Sequence, residues 1–585
     1  MQGNVYLVWV MDENVLAEGI VASPGIAVGR AHVSRKIDIL EKIRSERVQN
    51  VTVEVEKLKN AGNILAEKLN EIKRLLPKEE QEIIDAQLLI LDSFVSEASE
   101  LIKSLGYSAA FAVREIYEKY GEMMRQGGEL FALRAQDLRD LASRLVGLLS
   151  EQSISTSARY EIVIGEEIDP IEFLELANSG VKGLVTKEGG VTSHVAILAR
   201  LRGIPYIIAR KLDINKIRDG ITVIVDALNG LIILEPSEEE LKKYEAIAIE
   251  YRKLLEAFSR ESKLEALTLD GHKVNIYCNI GNFEELRILD EYGCEGVGLF
   301  RVEFAYMQRS SPPTEEELYE LFSKAAQILG EKPLTVRAPD IGGDKPIPFI
   351  ELPNEANPQL GLRGVRLLFK YEDLLLVPLV RALLRASVHG KLRLMLPMVS
   401  TVDEVLYFQE VVERERKNLE SSGVRTGRLE LGVMIETPSA ALLANDLIER
   451  GGLSFISFGT NDLTQYVLAA DRGNSLVSYL YDELNPSVLR LISLAVKRAK
   501  GRAEIEVCGE VASKPLAIPL LIGLGVESLS VSPQFVGKVK YIIRRVNLLK
   551  IKNEVENIIE VAKTNIDIKK WSEALLRSSG TTFIE

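Results

Sequence analysis

Histidine and cysteine are scarce in this 585-residue chain, with four of the first and three of the second. The histidines are His32, His194, His272 and His389, so chemistry that needs imidazole has a short list of candidates. The cysteines, Cys278, Cys294 and Cys508, are odd in number, and no pair has metal-ligand spacing. That argues against a disulfide framework or a zinc site and fits a reducing, cytoplasmic setting. No run of about 18 apolar residues occurs, which argues against a transmembrane helix and membrane insertion. The opening MQGNVYLVWV is apolar but short, without a basic start or a small-residue cleavage site, so no signal peptide is expected and Met11 is an alternative start. A basic excess is missing too: 72 Lys+Arg against 85 Asp+Glu leave a net charge of −13. Nonspecific nucleic-acid binding needs basic surface and is therefore not expected, although a local basic pocket for a small anion is compatible with this balance.

What is present describes an ordinary folded chain. Hydrophobic residues make up 46% and charged residues 27%, which excludes a mainly disordered chain. At roughly 100–200 residues per domain, the length predicts about three to five domains. Residues 17–34 read as strand, Pro-Gly turn and strand. Apolar residues at three- and four-residue spacing then fill 38–74, 79–104, 108–125 and 129–150, with Gly106 and Gly127-Gly128 as breaks. This predicts an inserted helical bundle over 36–152. Short β-branched runs (EIVIG, GLVTK, YIIAR, TVIVD, LIILE) predict a mixed α/β domain over 153–236 that shares strands with residues 1–35, of which 1–16 are a possible extension. Ser237 and Glu240 form a capping-box pattern that opens a linker helix, 237–263. From 264 to 585, eight candidate strands alternate with helical patterns, which predicts a (β/α)8 barrel. The fold class is thus α/β multidomain.

Barrel chemistry sits at the C-terminal ends of the strands. Those ends carry Arg301 and Glu303, Arg337 and Asp340, Met398, Glu436, Asn461 and Asp462, and Cys508 and Glu510. Just beyond lie Asp344-Lys345, Arg363 and Asp471-Arg472. Several arginines facing one mouth suit a small, multiply charged anion, because the guanidinium fork matches carboxylate and phosphate. They predict a strongly basic pocket. Glu436 and Asp462 are oxygen ligands of the kind magnesium takes alongside substrate phosphate. Cys508 at a strand end is a candidate proton donor or nucleophile, whereas Cys278 and Cys294 read as small core residues. A second site is GGVTSHVAILARLRGIP (189–205). Ser193 or Thr192 can cap a helix that starts at His194, and its N-terminal amides and dipole would welcome a phosphoryl group carried on the ring.

The order GGVTSHVAILAR, LFRVEF, RAPDIGGDKP, GLRGVR, LPMVSTVDEV, GVMIETPSA, SFGTNDLTQYVLAADRGN and VCGE resembles Enzyme I of the bacterial sugar phosphotransferase system. The opening GIVASPGIAVGRA and the stretch LRAQDLRDLASRL are similar to that family as well, so the resemblance covers residues 17–575. It implies a phosphoenolpyruvate-dependent phosphotransferase with His194 as phospho-acceptor. Arg301, Arg337 and Arg472 would hold phosphoenolpyruvate, assisted by Asn461, Lys345 and Arg363. Glu436 and Asp462 would hold Mg2+, with Asp462 beside the substrate, and Cys508 would protonate the enolate as pyruvate forms. The resemblance also implies an HPr-like phosphocarrier protein docked on the helical bundle, a swivelling phosphohistidine domain, and a homodimer through the barrel.

This chain departs from the family pattern at four places. Pro170-Ile171-Glu172-Phe173 stands where Pro-Ser-Glu-Thr is usual, and Lys187-Glu188 where Asp-Ala is usual. In the bundle, Asp85-Ala86-Gln87 replaces a Glu-Ala-His-type motif, and Asp92-Ser93-Phe94 thins an acidic cluster. Two alternatives stay open at this level. One is an enzyme of the phosphoenolpyruvate synthase or pyruvate phosphate dikinase type with another acceptor. The other is a non-catalytic phosphoenolpyruvate sensor.

Overall fold

A computed structural model describes residues 15–34, 39–75, 78–125, 129–149, 161–191, 193–287, 289–307, 309–343, 345, 347–474 and 476–581. The opening MQGNVYLVWV, Met11, Gly127-Gly128, Thr192 and Asp344 lie outside them. The chain divides into two compact units, with the boundary between Lys253 and Leu254.

The first unit is built on an eight-stranded sheet. Its strands are β1 (Val15–Glu18), β2 (Ile20–Ser23), β3 (Ile26–Ser34), β4 (Ile162–Gly165), β5 (Gly183–Thr186), β6 (Tyr206–Ile208), β7 (Thr222–Asp226) and β8 (Leu231–Leu234). They run in the order β1-β8-β7-β3-β4-β5-β6-β2. The β3-β4, β4-β5 and β5-β6 pairs are parallel, and the flanking pairs are antiparallel. β4 and β5 are buried along their whole length, as expected of strands covered on both faces.

Between β3 and β4 the chain forms four long helices, Val51–Leu75, Lys78–Leu105, Ala109–Arg125 and Glu129–Leu149. Their shared apolar stripes bury Leu58, Leu65, Ile72, Phe94, Ile102 and Leu145. Each such side chain contributes roughly 1.5–3 kcal/mol by leaving water. Gly106, in the left-handed region, turns the chain between the second and third helix. The helix Glu238–Glu261 opens as the sequence predicts: Glu240 accepts from the Ser237 amide at 2.7 Å, and Ser237 accepts from the Glu240 amide at 3.2 Å.

The second unit holds a closed barrel of eight parallel strands. They are β9 (Asn275–Ile280), β10 (Val297–Arg301), β11 (Leu334–Arg337), β12 (Leu392–Leu396), β13 (Leu429–Ile435), β14 (Phe455–Phe458), β15 (Glu504–Val507) and β16 (Ser528–Val531). Each coincides with one of the eight sequence-predicted strands. Outward-facing residues such as Leu392, Leu394 and Leu396 pack with the surrounding helices into one core. Inward-facing Leu299, Met395, Met434, Phe455 and Cys508 form a separate cluster inside the barrel.

One expectation is corrected here. Cys278 and Cys294 are joined as a disulfide, with 5.9 Å between their Cα atoms, so they are not independent core thiols. The sequence hides this because 16 residues separate them. Parallel pairing of β9 with β10, which sets Val297 beside Cys278, brings the residues leading into β10 back against β9. Cys508 is the free cysteine among the described residues, and it is buried.

Candidate active site

The first-unit site is a loop fastened from several sides. β5 ends at Thr186, and the Thr186 hydroxyl donates to the Glu188 carbonyl at 2.7 Å. The Tyr206 hydroxyl lies 2.7 Å from Thr186 Oγ1 and therefore donates to it. Burial above all pushes the Tyr206 hydroxyl above its ordinary pKa, which keeps the proton that bond needs. Gly189 has φ of 139°, and a Cβ there would fall 2.9 Å from the Tyr206 oxygen, so the loop needs glycine. Arg200 ties the far side by donating to the Val191 carbonyl at 2.9 Å and the Ala22 carbonyl at 3.0 Å.

The helix His194–Arg202 follows this loop. Ser193 is its N-cap, accepting from the Ala196 amide at 3.3 Å, and Gly203 closes it in the left-handed conformation. His194, half-buried, is the first helical residue. Its ring thus sits where helix amides and dipole stabilise negative charge.

Two departures from the family pattern prove to be core residues. Phe173 is 1% exposed within the helix Pro170–Asn178, whose N-cap Asp169 accepts from the amides of Ile171 and Glu172. Phe94 is fully buried in the helical bundle and stacks on Tyr120. Glu172 accepts from Ser34 Oγ at 3.4 Å, and Asp85 accepts from Lys73 at 2.5 Å. Gln87 is half-buried.

The second-unit site lies at the C-terminal mouth of the barrel. Arg301 ends β10 and is exposed. Arg337 ends β11, is 8% exposed, and donates to Glu303. Its Nε is buried without an acceptor. Asp340, with no exposed surface, gathers the other cations. It accepts from Arg363 Nε at 2.9 Å, Arg363 Nη2 at 2.8 Å and Lys345 Nζ at 2.7 Å, and Arg337 lies 3.8 Å away. Burial alone would raise the Asp340 pKa, but the Arg363 bonds and the charges of Arg337 and Lys345 outweigh it and hold the carboxylate ionised. Arg363 is 1% exposed, also reaches both Asp462 oxygens at 3.3 Å, and donates to Gln359 and Tyr466.

Glu436 follows β13 and is 1% exposed. It accepts from the amide of Met398 at 2.5 Å. Met398 adopts φ of 57°, an unfavourable value for a residue with a side chain, and so aims that amide at the carboxylate. Burial first, then the charges of Asp462 and Asp340, push the Glu436 pKa up to about 8. Two buried carboxylates that repel each other in this way are a donor set that a divalent cation would relieve.

Asn461 and Asp462 are not on a strand, as the sequence suggests, but in the first turn of the helix Thr460–Leu468 after β14. Asn461 and Glu510 clasp each other: Asn461 Nδ2 donates to Glu510 Oε1 at 3.2 Å, and Asn461 Oδ1 accepts from the Glu510 amide at 3.1 Å. Arg472 is more than a third exposed, lies 3.9 Å from Asp462, and is fixed through its amide by Gln465 Oε1 at 3.1 Å.

Cys508 follows β15 and is 2% exposed. Burial, then the charge of Glu506, push its thiol up to about 12, so the sulfur keeps its proton at neutral pH. Gly509 is required next, because a Cβ there would collide with Thr460. Asn279, which sequence reasoning missed, donates to the Cys508 carbonyl at 3.0 Å and accepts from Ser530 Oγ at 2.7 Å. Its only signal was a polar residue at an inward position of β9.

Arg301, Arg337, Lys345, Arg363, Glu436, Asn461, Asp462, Arg472 and Cys508 all belong to this mouth, while His194 belongs to the other unit. The predicted strong basicity is corrected. Glu303, Asp340, Asp462 and Glu510 stand against the five cations, with Glu436 held toward its neutral form by burial, so most of the positive charge is offset. Its buried arginines are held by carboxylates because unpaired charge cannot remain in so dry a place.

Three family models match along the chain: PEP-utilising enzyme, N-terminal, at residues 18–134; PEP-utilising enzyme, mobile domain, at 158–230; and PEP-utilising enzyme, PEP-binding domain, at 256–548. They define a phosphoenolpyruvate-utilising enzyme. The phosphoenolpyruvate-protein phosphotransferase of Priestia megaterium is 36% identical over 559 residues, covering 94% of this chain and 97% of that protein. Those of Staphylococcus carnosus (strain TM300) and Borreliella burgdorferi are each 35% identical, covering 93% and 92% of this chain and 96% of each relative. The chain belongs to the phosphoenolpyruvate-protein phosphotransferase family. Among the described residues, no helix is long and apolar enough to cross a membrane.

Proposed function

We propose that the chain transfers the phosphoryl group of phosphoenolpyruvate to His194, releases pyruvate, and passes the phosphoryl group to a histidine of a small HPr-like carrier. The observation that carries this reading is a buried, protonated Cys508 thiol at the same barrel mouth as the arginines and the two carboxylates. Arg301 and Arg472, the exposed cations, meet the phosphate and carboxylate of the substrate first. Arg337 offers its guanidinium from below, and Asn461 orients the bound molecule. Lys345 and Arg363 act largely through Asp340 and Asp462, which they hold in place. Glu436 and Asp462 suit Mg2+, which would supply positive charge against the phosphoryl oxygens.

Phosphoryl transfer is mainly positioning and charge stabilisation, so the cations lower the barrier while neutral His194 attacks phosphorus. As the P–O bond breaks, the electron pair remains on the enolate of pyruvate. Cys508 then donates its proton to the enolate carbon. His194 reaches the barrel mouth by a swing of the phosphohistidine domain, with the linker 237–263 as hinge, and the carrier docks on the four-helix bundle. A homodimer formed through the barrel completes the proposal.

The test is incubation with phosphoenolpyruvate and Mg2+, measuring pyruvate and acid-labile phosphate. His194→Ala loses the label, whereas His32→Ala, His272→Ala and His389→Ala keep it. Label persisting in His194→Ala overturns the assignment. Cys508→Ala binds substrate but turns over roughly a hundredfold or more slowly, the usual scale for a lost general acid. A normal rate removes its acid role. Failure of a candidate HPr to accept phosphate counts against the carrier alone.

A further inference from the structure

The barrel interior beneath Cys508 holds a second carboxyl group. Glu504 and Glu506 share the inward face of β15, and Cys508, directly after the strand, continues the alternation. Glu506 has no exposed surface. Its Oε1 accepts from Ser457 Oγ at 3.3 Å, while its Oε2 is buried without a hydrogen-bond donor. The nearest cation, Arg393, is 3.7 Å from that oxygen, beyond hydrogen-bond length. The packing is tight, since a Cβ on Gly298 would lie 2.6 Å from the carboxyl group. Ser457, paired with Glu506 across β14 and β15, is also close enough to the Cys508 sulfur to affect its acidity, while the thiol itself is 3.7 Å from the Phe458 carbonyl. Ser457 is therefore a neighbour of both groups.

The charged or titratable groups facing Glu506 are Arg393 on β12, Glu504 on β15, Tyr277 on β9, and Cys508. β10, β14 and β16 bring uncharged Gly298, Ser457 and Ser530. Burial is the largest influence on Glu506, with Arg393 opposing and Glu504 adding to it, and its pKa rises to about 8. At neutral pH the carboxyl group carries a proton. Cys508, for its part, is packed among Leu299, Met395, Met434 and Phe455. A thiolate left there after proton donation is poorly solvated, so it needs a proton source within the protein.

We propose that Glu506 is that source: Ser457 relays a proton from the Glu506 carboxyl group to Cys508 after the thiol has protonated the enolate. The proposal rests on Cys508 as the acid. As the C–H bond of pyruvate forms, the S–H bond breaks. The thiolate takes the Ser457 hydroxyl proton, and Ser457 takes the proton of Glu506. The resulting carboxylate faces Arg393. Glu506 regains its proton from bulk water on the side of Arg393 and Glu504, whose side chain is 28% exposed. In the reverse direction the same chain carries a proton outward. Glu506 touches no substrate, so it acts as a relay and positioning group.

The test uses the full chain with Mg2+ and pyruvate in deuterated water, following exchange of the pyruvate methyl hydrogens by NMR. The comparison is the rate of first-turnover phosphorylation of His194 by phosphoenolpyruvate. Exchange needs repeated reloading of Cys508, whereas the first turnover uses the proton already on sulfur. Glu506→Gln keeps the shape and the Ser457 contact but cannot relay. Its exchange rate, relative to first turnover, falls about tenfold or more. The wild-type decline in exchange above pH about 8 disappears with it. Ser457→Ala gives the same loss, and Ser457→Thr restores exchange. Should Glu506→Gln fail to fold by circular dichroism, the Ser457 pair carries the same readout. A ratio within about twofold of wild type, or an unchanged pH profile, overturns the relay. Exchange surviving in Cys508→Ala overturns the acid reading itself. Exchange lost in Cys508→Ala but intact in Glu506→Gln overturns the relay alone.

Discussion

Asp340→Asn separates the charge-balance argument from simple packing. Asp340 has no exposed surface and accepts three charged donors at 2.7–2.9 Å, two from Arg363 and one from Lys345. Asparagine keeps the volume, but it offers one acceptor and two donors, so one amide N–H faces a guanidinium or an ammonium. Arg363, at 1% exposure, would then keep Asp462 alone as its charged partner. Removing one member of a buried ion pair costs about 3–5 kcal/mol. In a unit that spans Leu254–Glu585 that is a fall in Tm of roughly 4–7 °C at pH 7. The sign with pH follows from the direction of the shift. The Asp340 pKa is lowered in the folded state, so its stabilisation is present above the unfolded value near 4 and is lost as pH falls below it. The gap between wild type and Asp340→Asn should therefore narrow as pH drops from about 5 toward 3, read by thermal unfolding with circular dichroism. A variant that melts within 1 °C of wild type at pH 7, or a gap that widens in acid, refutes the reasoning.

Three further outcomes follow from the same geometry. Glu436→Gln removes one of two buried carboxylates and should weaken Mg2+ binding about tenfold or more, measured by calorimetry, while Arg301→Ala should leave Mg2+ affinity alone and raise the KM for phosphoenolpyruvate. Tyr206→Phe deletes the donor to Thr186 and should slow His194 phosphorylation several-fold while leaving pyruvate methyl exchange at the barrel within about twofold of wild type, separating loop fastening from barrel chemistry. Replacing Cys278 and Cys294 together by alanine frees a 16-residue segment and should cost about 3 kcal/mol, seen as a lower Tm under non-reducing conditions that reductant does not lower further.

The barrel was legible because parallel strands covered by helices are buried on both faces and read as apolar runs, as RLMLPMV and ELGVMIE do. The helix at His194 was legible because Ser193 and Gly203 are cap residues whatever the tertiary context. The Cys278–Cys294 bond was not, because it depends on a crossover returning beside β9. The charge balance at the mouth was not either. Arg363 and Asp340 are 23 residues apart, and only the turn of backbone between β11 and the following helix makes them one unit. Phe173 and Phe94, legible only as departures from a pattern, are explained by the cores they fill. Glu506 read as a strand residue because its partner Ser457 comes from another strand 49 positions away.

The central claim is that one chain takes one phosphoryl group from phosphoenolpyruvate onto His194. Its most direct measurement is the stoichiometry of a single charging reaction with the full wild-type chain, phosphoenolpyruvate and Mg2+, followed by mapping of the phosphorylated peptide. The account predicts one pyruvate released per chain and acid-labile phosphate on the peptide that contains His194. Continuous pyruvate release with free phosphate, or phosphate on any other residue, would contradict it.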